Sequence, residues 1–321
     1  MHAIRRAAAA LLLGLAASLA QAQAYPERAL KFIVPYPAGG IADSFARALG
    51  ERLAARLGQP VVPENRPGES LIVGTEAAAK SPGDGYTILL SSASSMAINV
   101  GAFKTLPYDP LKDFAHVSLA FYTPLYLMVN PEVPAKNLRD LIAHAKAKPG
   151  SLSFASLGKG SSLHLSGELL KIMAGIDLLH VPYKGTTTAL PDLLGGRVSM
   201  IFDGGAFLGH ARSGKLRLLA VTSPRRLPSL PDVPTMSEAG VPGYEVVIWF
   251  GVSAPAATPA LIVERLSKEV AEIVKDPALK ERFAATGIQL VSNTPAAFVE
   301  LIKRDTVKWT KLLREAGVQQ E

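Results

Sequence analysis

The sequence predicts an α/β protein in two lobes, each a mostly parallel sheet flanked by helices, with a cleft between the lobes. Three observations predict it. Short apolar runs alternate with stretches of helical periodicity along most of the chain. One strand–turn–helix unit recurs three times, with glycine, serine or threonine at each helix start. No Pro/Gly/Ser-rich linker divides the chain, while Val117 to Val129, interrupted by Pro124, and Leu216 to Val221 suit strands crossing between lobes. The expected division is residues 25–123 plus 224–321 in one lobe and 124–223 in the other.

The first unit organises the rest. Lys31-Phe32-Ile33-Val34 reads as a buried strand, and Phe45, Leu49, Leu53 and Leu57 repeat at the spacing of one helix face. Tyr36-Pro37-Ala38-Gly39-Gly40-Ile41-Ala42-Asp43 joins them. The first N–H groups of a helix have no intrahelical partner and lie at the positive end of its dipole. Gly39 and Gly40, lacking side chains, let a ligand approach those amides, so the turn suits an anion. Taken alone it reads rather as an ordinary tight turn, since glycine pairs are common there, and the case for function comes from the same design recurring.

Gly58-Gln59-Pro60 stops the helix, Val61-Val62 is a short strand, Asn65-Arg66-Pro67-Gly68 a turn, and Gly74 to Lys80 a short helix. Tyr86 to Leu90 is the next strand. Ser91 to Ser95 then opens a helical stretch toward Asn99, and Ser92 and Ser94 fit either a second anion cradle or a surface loop. Asn137 reads as the N-cap of a helix over Leu138 to Lys148.

The second unit is the strand Leu152 to Ala155, the turn Ser156-Leu157-Gly158-Lys159-Gly160-Ser161-Ser162, and a helix from about Leu163 to Ala174. It is no P-loop, since Gly160 follows Lys159, and no dinucleotide fingerprint, since Leu163 stands at the third glycine. The third unit runs from His180 through Tyr183-Lys184-Gly185-Thr186-Thr187 into Ala189 to Leu194. Val198 to Phe202 is a strand with Asp203 at its end. Thr258-Pro259 and Thr294-Pro295 start two packing helices.

Composition narrows the function. There is no cysteine in 321 residues, which excludes disulfides, thiolate metal sites, a cysteine nucleophile and a lipidated N-terminal cysteine. Met1 to Arg6, the uncharged run Ala7 to Leu19 and Ala22-Gln23-Ala24 make the three parts of a cleaved secretory signal peptide over residues 1–24. Without Arg5 and Arg6 the charge of +7 falls to +5, and the remaining bases are scattered, so nucleic acid is not an expected partner. Six histidines form no H-E-x-x-H pair, and no G-x-S-x-G elbow is present. A Ser161–His164 pair is the one candidate for exported hydrolase chemistry, against a plain structural histidine. Asp43 and Asp203 read as a carboxylate pair or as two structural caps, and Tyr183 as a lid or as packing.

Several segments resemble a known family. They are Val34 to Gly40 with Asp43, Glu64 to Gly68, Asp84 to Thr87, Leu106 to Pro110, His180 to Gly185, Leu219 to Ser223, Pro231 to Thr235 and Glu238 to Tyr244. Together they are similar to the Bug-type periplasmic solute-binding proteins, the receptors of tripartite tricarboxylate transporters. The resemblance implies a type II periplasmic-binding-protein fold closing on a small carboxylate. It implies that the loops Tyr36 to Asp43 and Tyr183 to Thr187 hold the ligand's carboxylates. The chain departs from the family's habit at Glu69 to Ile72, at Ser91 to Ser95, at Thr188 and at Gly204, which bears on ligand identity rather than fold.

The expected ligand-facing residues are therefore Tyr36, Pro37, Ala38, Gly39, Gly40 and Asp43 in the first loop, with Ser92 and Ser94 beside it. Gly158, Gly160, Ser161, Ser162 and His164 belong to the second unit, Tyr183, Lys184, Gly185, Thr186 and Thr187 to the third, and Asp203 follows. No catalytic residue, metal or cofactor is expected. The expected partners are a small carboxylate and membrane transporter subunits outside this chain, for a monomeric periplasmic protein. A ligand-dependent receptor for a signalling sensor is the alternative.

Overall fold

The computed structural model describes residues 25–315 and 317, so the expected signal segment, residues 1–24, lies outside the described residues. Six strands form one sheet: β1 (Leu30–Val34), β2 (Val61–Asn65), β3 (Thr87–Ser92), β4 (Phe114–Pro124), β10 (Val247–Pro255) and β11 (Gln289–Leu290), in the order β11-β4-β10-β3-β1-β2. Five form a second: β5 (Tyr126–Val129), β6 (Ser153–Ser156), β7 (Leu179–Pro182), β8 (Met200–Asp203) and β9 (Arg217–Val221), in the order β7-β6-β8-β5-β9. The strands that feed the strand–turn–helix units pair in parallel, β1 with β2 and β3, and β6 with β7 and β8. The expectation of mostly parallel sheets holds for them alone. β10 enters antiparallel between β3 and β4, and β5 antiparallel between β8 and β9, so both sheets are mixed.

The helices are α1 (Ile41–Leu57), α2 (Ile72–Ala79), α3 (Asn99–Ala102), α4 (Leu138–Ala147), α5 (Ser162–Ala174), α6 (Thr186–Leu194), α7 (Leu208–Arg212), α8 (Ala260–Ile273), α9 (Pro277–Ala284) and α10 (Pro295–Glu315). α1 buries Phe45, Leu49, Leu53 and Leu57 and ends on Gly58 in the left-handed region, a conformation that favours glycine. The Ser91–Ser95 stretch is not a free loop: β3 runs through Ser92, and a π-turn over Ser94–Ile98 leads into α3. α10 starts as expected, with Thr294 Oγ1 accepting the Ala297 N–H at 3.2 Å, and buries Phe298, Ile302, Trp309 and Leu313. α8 begins one residue later than Thr258-Pro259 predicts. Pro259 has an extended ψ of 137°, so it stands before the helix and its carbonyl accepts from Ile262 and Val263.

The chain passes between the sheets at Leu125, between the end of β4 and the start of β5. β9 does not cross back. It stays in the second sheet beside β5, and Val221 bridges Thr235. Thr222, fully buried, ties the passages together: its Oγ1 accepts from Leu125 N at 2.7 Å and donates to Val246 O at 2.6 Å.

Candidate ligand cleft

The turn after β1 is held from within. Asp43, 3% exposed, accepts the Gly39 N–H at 2.9 Å and Arg47 Nε at 3.1 Å on one oxygen, and Asn65 Nδ2 at 2.8 Å on the other. Burial pushes this carboxyl's pKa up, but the bonds from Arg47, Gly39 and Asn65 outweigh it and hold the group below the usual carboxylate range. Gly39, at φ 83°, takes a turn conformation that side chains disfavour. Its N–H is committed to Asp43, which leaves the amides of Gly40, Ile41 and Ala42 at the helix start. Gly40 is the N-cap of α1, and no side chain caps this helix. Tyr36, buried, donates to Ser92 Oγ at 3.0 Å and tilts against Phe250. Burial pushes its phenol pKa up.

The third unit meets the first from the other sheet. Gly185 caps α6 without a side-chain bond and is extended, a conformation open to any residue. Glycine is required there by contact: a β-carbon on Gly185 would lie 2.0 Å from Pro37 Cγ. A β-carbon on Gly40 would lie 4.0 Å from Thr186 Oγ1, and one on Gly39 3.9 Å from Thr187 Cγ2. The starts of α1 and α6 thus converge. Tyr183 is not a lid here, because its hydroxyl donates to Asp192 Oδ2 at 2.7 Å and lays the half-buried ring toward α6. Burial, then that hydrogen bond, raise its pKa to about 12. Lys184 is exposed.

The second unit is closed by the protein's own hydroxyls. Ser161 Oγ accepts the His164 N–H at 3.2 Å and donates to Gly158 O at 2.7 Å, while Ser94 Oγ accepts the Ser162 N–H at 3.1 Å. Gly158 and Gly160, both at positive φ, press against Ser70 and against Asn99 and Ala102 from the first sheet's side. Ser70 also donates its N–H to Leu157 O at 3.0 Å. This turn is a seam between the two halves. Ser161 and His164 meet through the helix backbone rather than through hydroxyl and imidazole. The His164 ring instead lies 4.3 Å from that of His180, with its Nδ1 buried and unpartnered. Asp203 Oδ1 accepts from Gly205 N at 2.8 Å and Phe207 N at 3.0 Å, and complete burial raises its pKa against those bonds. Asp43 and Asp203 each serve their own turn.

A cavity of about 40 Å³ lies where the units face each other. Of the expected residues, Tyr36, Pro37, Gly40, Ser162, Thr186 and Asp203 line it. Ala38, Gly39, Asp43, Ser92, Ser94, Gly158, Gly160, Ser161, His164, Tyr183, Lys184, Gly185 and Thr187 do not line it. Sequence reasoning missed the apolar lining: Leu125 at the passage, Leu157 and Leu163 flanking the second turn, and Ile248 and Phe250 on β10. Their only sequence signal is apolarity, which the core shares. Gly204, already marked by its departure, also lines the cavity and would place a β-carbon 2.9 Å from Ile41 Cγ2.

The sequence profile of the tripartite tricarboxylate transporter family receptors matches residues 45–318. The chain belongs to this receptor family. Protein BugT of Bordetella pertussis is 41% identical over 308 residues, covering 95% of this chain and 94% of BugT. Among solved structures, Rpa4515 of R. palustris with adipate superposes with a TM-score of 0.89 at 35% identity, covering 92% of this chain and all of that one. MatC from Rhodopseudomonas palustris with bound malate gives 0.85 at 29% identity, covering 90% of this chain and 100% of its own. The Bug-type receptor is thus the framework on which these three helix starts are arranged. Among the described residues, no helix of this receptor is long and apolar enough to cross a membrane.

Proposed function

We propose that this receptor works in the periplasm, holding a small carboxylate between its two halves and presenting it to membrane transporter subunits. The observation that carries the reading is the convergence of α1 and α6. They follow strands of different sheets and start on glycine without side-chain caps, and a β-carbon placed on Gly40 would lie 4.0 Å from Thr186 Oγ1. Helix N-termini favour anions, and two of them around one point hold a carboxylate without a fixed salt bridge. The adipate and malate in the two related structures support the class of ligand.

The cavity has room for about three water-sized spheres, so a larger ligand enters by parting of the halves. We place the lobes at residues 25–124 with 246–321 and at 125–245, moving about Leu125 and Val246 where Thr222 joins them. The role is one of binding, by a monomer and without a cofactor. The hydroxyl of Ser161 caps a helix, which speaks against hydrolysis.

The test is thermal unfolding of exported protein against a panel of small carboxylates, with the ligand followed by NMR. A bound carboxylate stabilises by about 2.7 kcal/mol at a hundredfold excess over Kd and stays chemically unchanged. Gly40→Val, which points a branched side chain into the cradle, abolishes the shift while circular dichroism stays native. Consumption of the ligand, or no stabilisation by any acid of the panel, would reject the reading. N-terminal sequencing of the same material is expected to begin at or near Tyr25.

A further inference from the structure

We infer that the ligand is a monocarboxylic acid with an apolar body. The inference rests on reading the cavity as a carboxylate site and adds which acids it selects. Three helix starts surround the cavity, but they provide a single place for an anion. Those of α1 and α6 converge, the Gly40 β-position lying 4.0 Å from Thr186 Oγ1, and so act on one group. At the start of α5 two of the first amides are already taken, Ser162 N–H by Ser94 Oγ at 3.1 Å and His164 N–H by Ser161 Oγ at 3.2 Å, which leaves that of Leu163 as a lone amide rather than a cradle.

The walls offer a second carboxylate nothing better. No lysine, arginine or histidine lines the cavity, and its one ionisable carboxyl is Asp203, buried and bound to the amides of Gly205 and Phe207. The Tyr36 hydroxyl donates away from the cavity, to Ser92. Thr186 lies at the α1–α6 convergence itself and the Ser162 hydroxyl accepts from Ser94 Oγ at 3.3 Å, while Ile41, Leu125, Leu157, Leu163, Ile248 and Phe250 make up most of the remaining surface. A carboxylate set against such a wall loses its water without gaining partners. A methylene set there gains, each buried one tightening binding about fourfold.

Calorimetric titration of the full mature chain at pH 7 with matched acids tests this. The probes are hexanoate against adipate and butanoate against succinate, with hexanamide to remove the charge. We expect hexanoate to bind at least tenfold tighter than adipate, butanoate tighter than succinate, and hexanamide at least tenfold weaker than hexanoate. Ser94→Ala frees the Ser162 N–H and is expected to shift the adipate-to-hexanoate ratio at least fivefold toward adipate. Adipate binding as tightly as hexanoate, or an unchanged ratio in Ser94→Ala, overturns the inference and leaves the carboxylate reading standing. Binding of none of the four acids overturns both.

Discussion

α1 and α5 follow the same plan, a buried strand, a glycine-containing turn and a helix, yet their first turns have opposite fates. α1 starts on Gly40 with no side chain across its amides, and its turn is braced from behind by Asp43. α5 starts on Ser161, whose hydroxyl takes one amide, while Ser94 reaches over from the first sheet's side to take another. What separates an open cradle from a closed one is a hydroxyl within hydrogen-bond reach, and glycine at the cap position denies it one. α6 falls with α1, since Gly185 leaves its start equally bare.

The comparison breaks most completely at Gly185. Its backbone is extended, so alanine fits the local conformation, but the added β-carbon would sit 2.0 Å from Pro37 Cγ on the opposite loop. Gly185→Ala is therefore expected to fold normally and to hold α6 away from α1. Carboxylate affinity should fall at least a hundredfold, about 2.7 kcal/mol, measured by titration calorimetry. Wild-type affinity in a folded Gly185→Ala protein would mean that the two helix starts do not act together.

Much of this arrangement was legible from residues alone. The strand ends, the turns and the caps at Asn137 and Thr294 follow from local chemistry, and both side chains accept a backbone N–H as expected. Tyr36, Pro37, Gly40, Ser162, Thr186 and Asp203 reached the cavity because turn chemistry marks the ends of strands. The antiparallel entry of β10 was not legible, since pairing Phe250 with Phe121 and Ser92 is a contact across more than a hundred residues. Nor was the apolar wall. Ile248 and Phe250 have the same composition signal as any buried strand, and only the packing of one half on the other turns them toward the cavity. Ser94 was expected to face a ligand, but a sequence does not show that its partner is the Ser162 amide.

Acid sharpens the comparison, because the closed side carries buried His164 against half-buried His180. Burial lowers the His164 pKa to about 3, helped by His180, and lowers that of His180 to about 4. Both folded values lie below the ordinary 6.5, so the unfolded chain takes up protons first as pH falls. Their stabilising contribution is complete above about pH 6.5 and is lost as pH falls from there toward about 4. For buried His164 the loss between pH 7 and pH 5 is ~2 kcal/mol. Urea unfolding at both pH values should show His164→Phe losing less stability than the wild type by roughly this amount. Equal losses in the two proteins would mean that the ring is protonated without cost where it sits.

The smallest expected effect discriminates most finely between the two turns. Ser161 was a candidate for ligand contact, and its place in the fold makes it a cap. Its Oγ accepts from His164 N at 3.2 Å and donates to Gly158 O at 2.7 Å, so both bonds stay within one turn. Removing a serine cap typically costs about 1 kcal/mol. Ser161→Ala should therefore lower stability by about that much, read by urea unfolding at pH 7. Carboxylate affinity should change less than about twofold, because no part of the α1–α6 convergence depends on this hydroxyl. The stability loss also checks that the substitution reached the cap. A folded Ser161→Ala protein that loses tenfold or more in affinity would place the carboxylate at α5, and the distinction between open and closed starts would then fail.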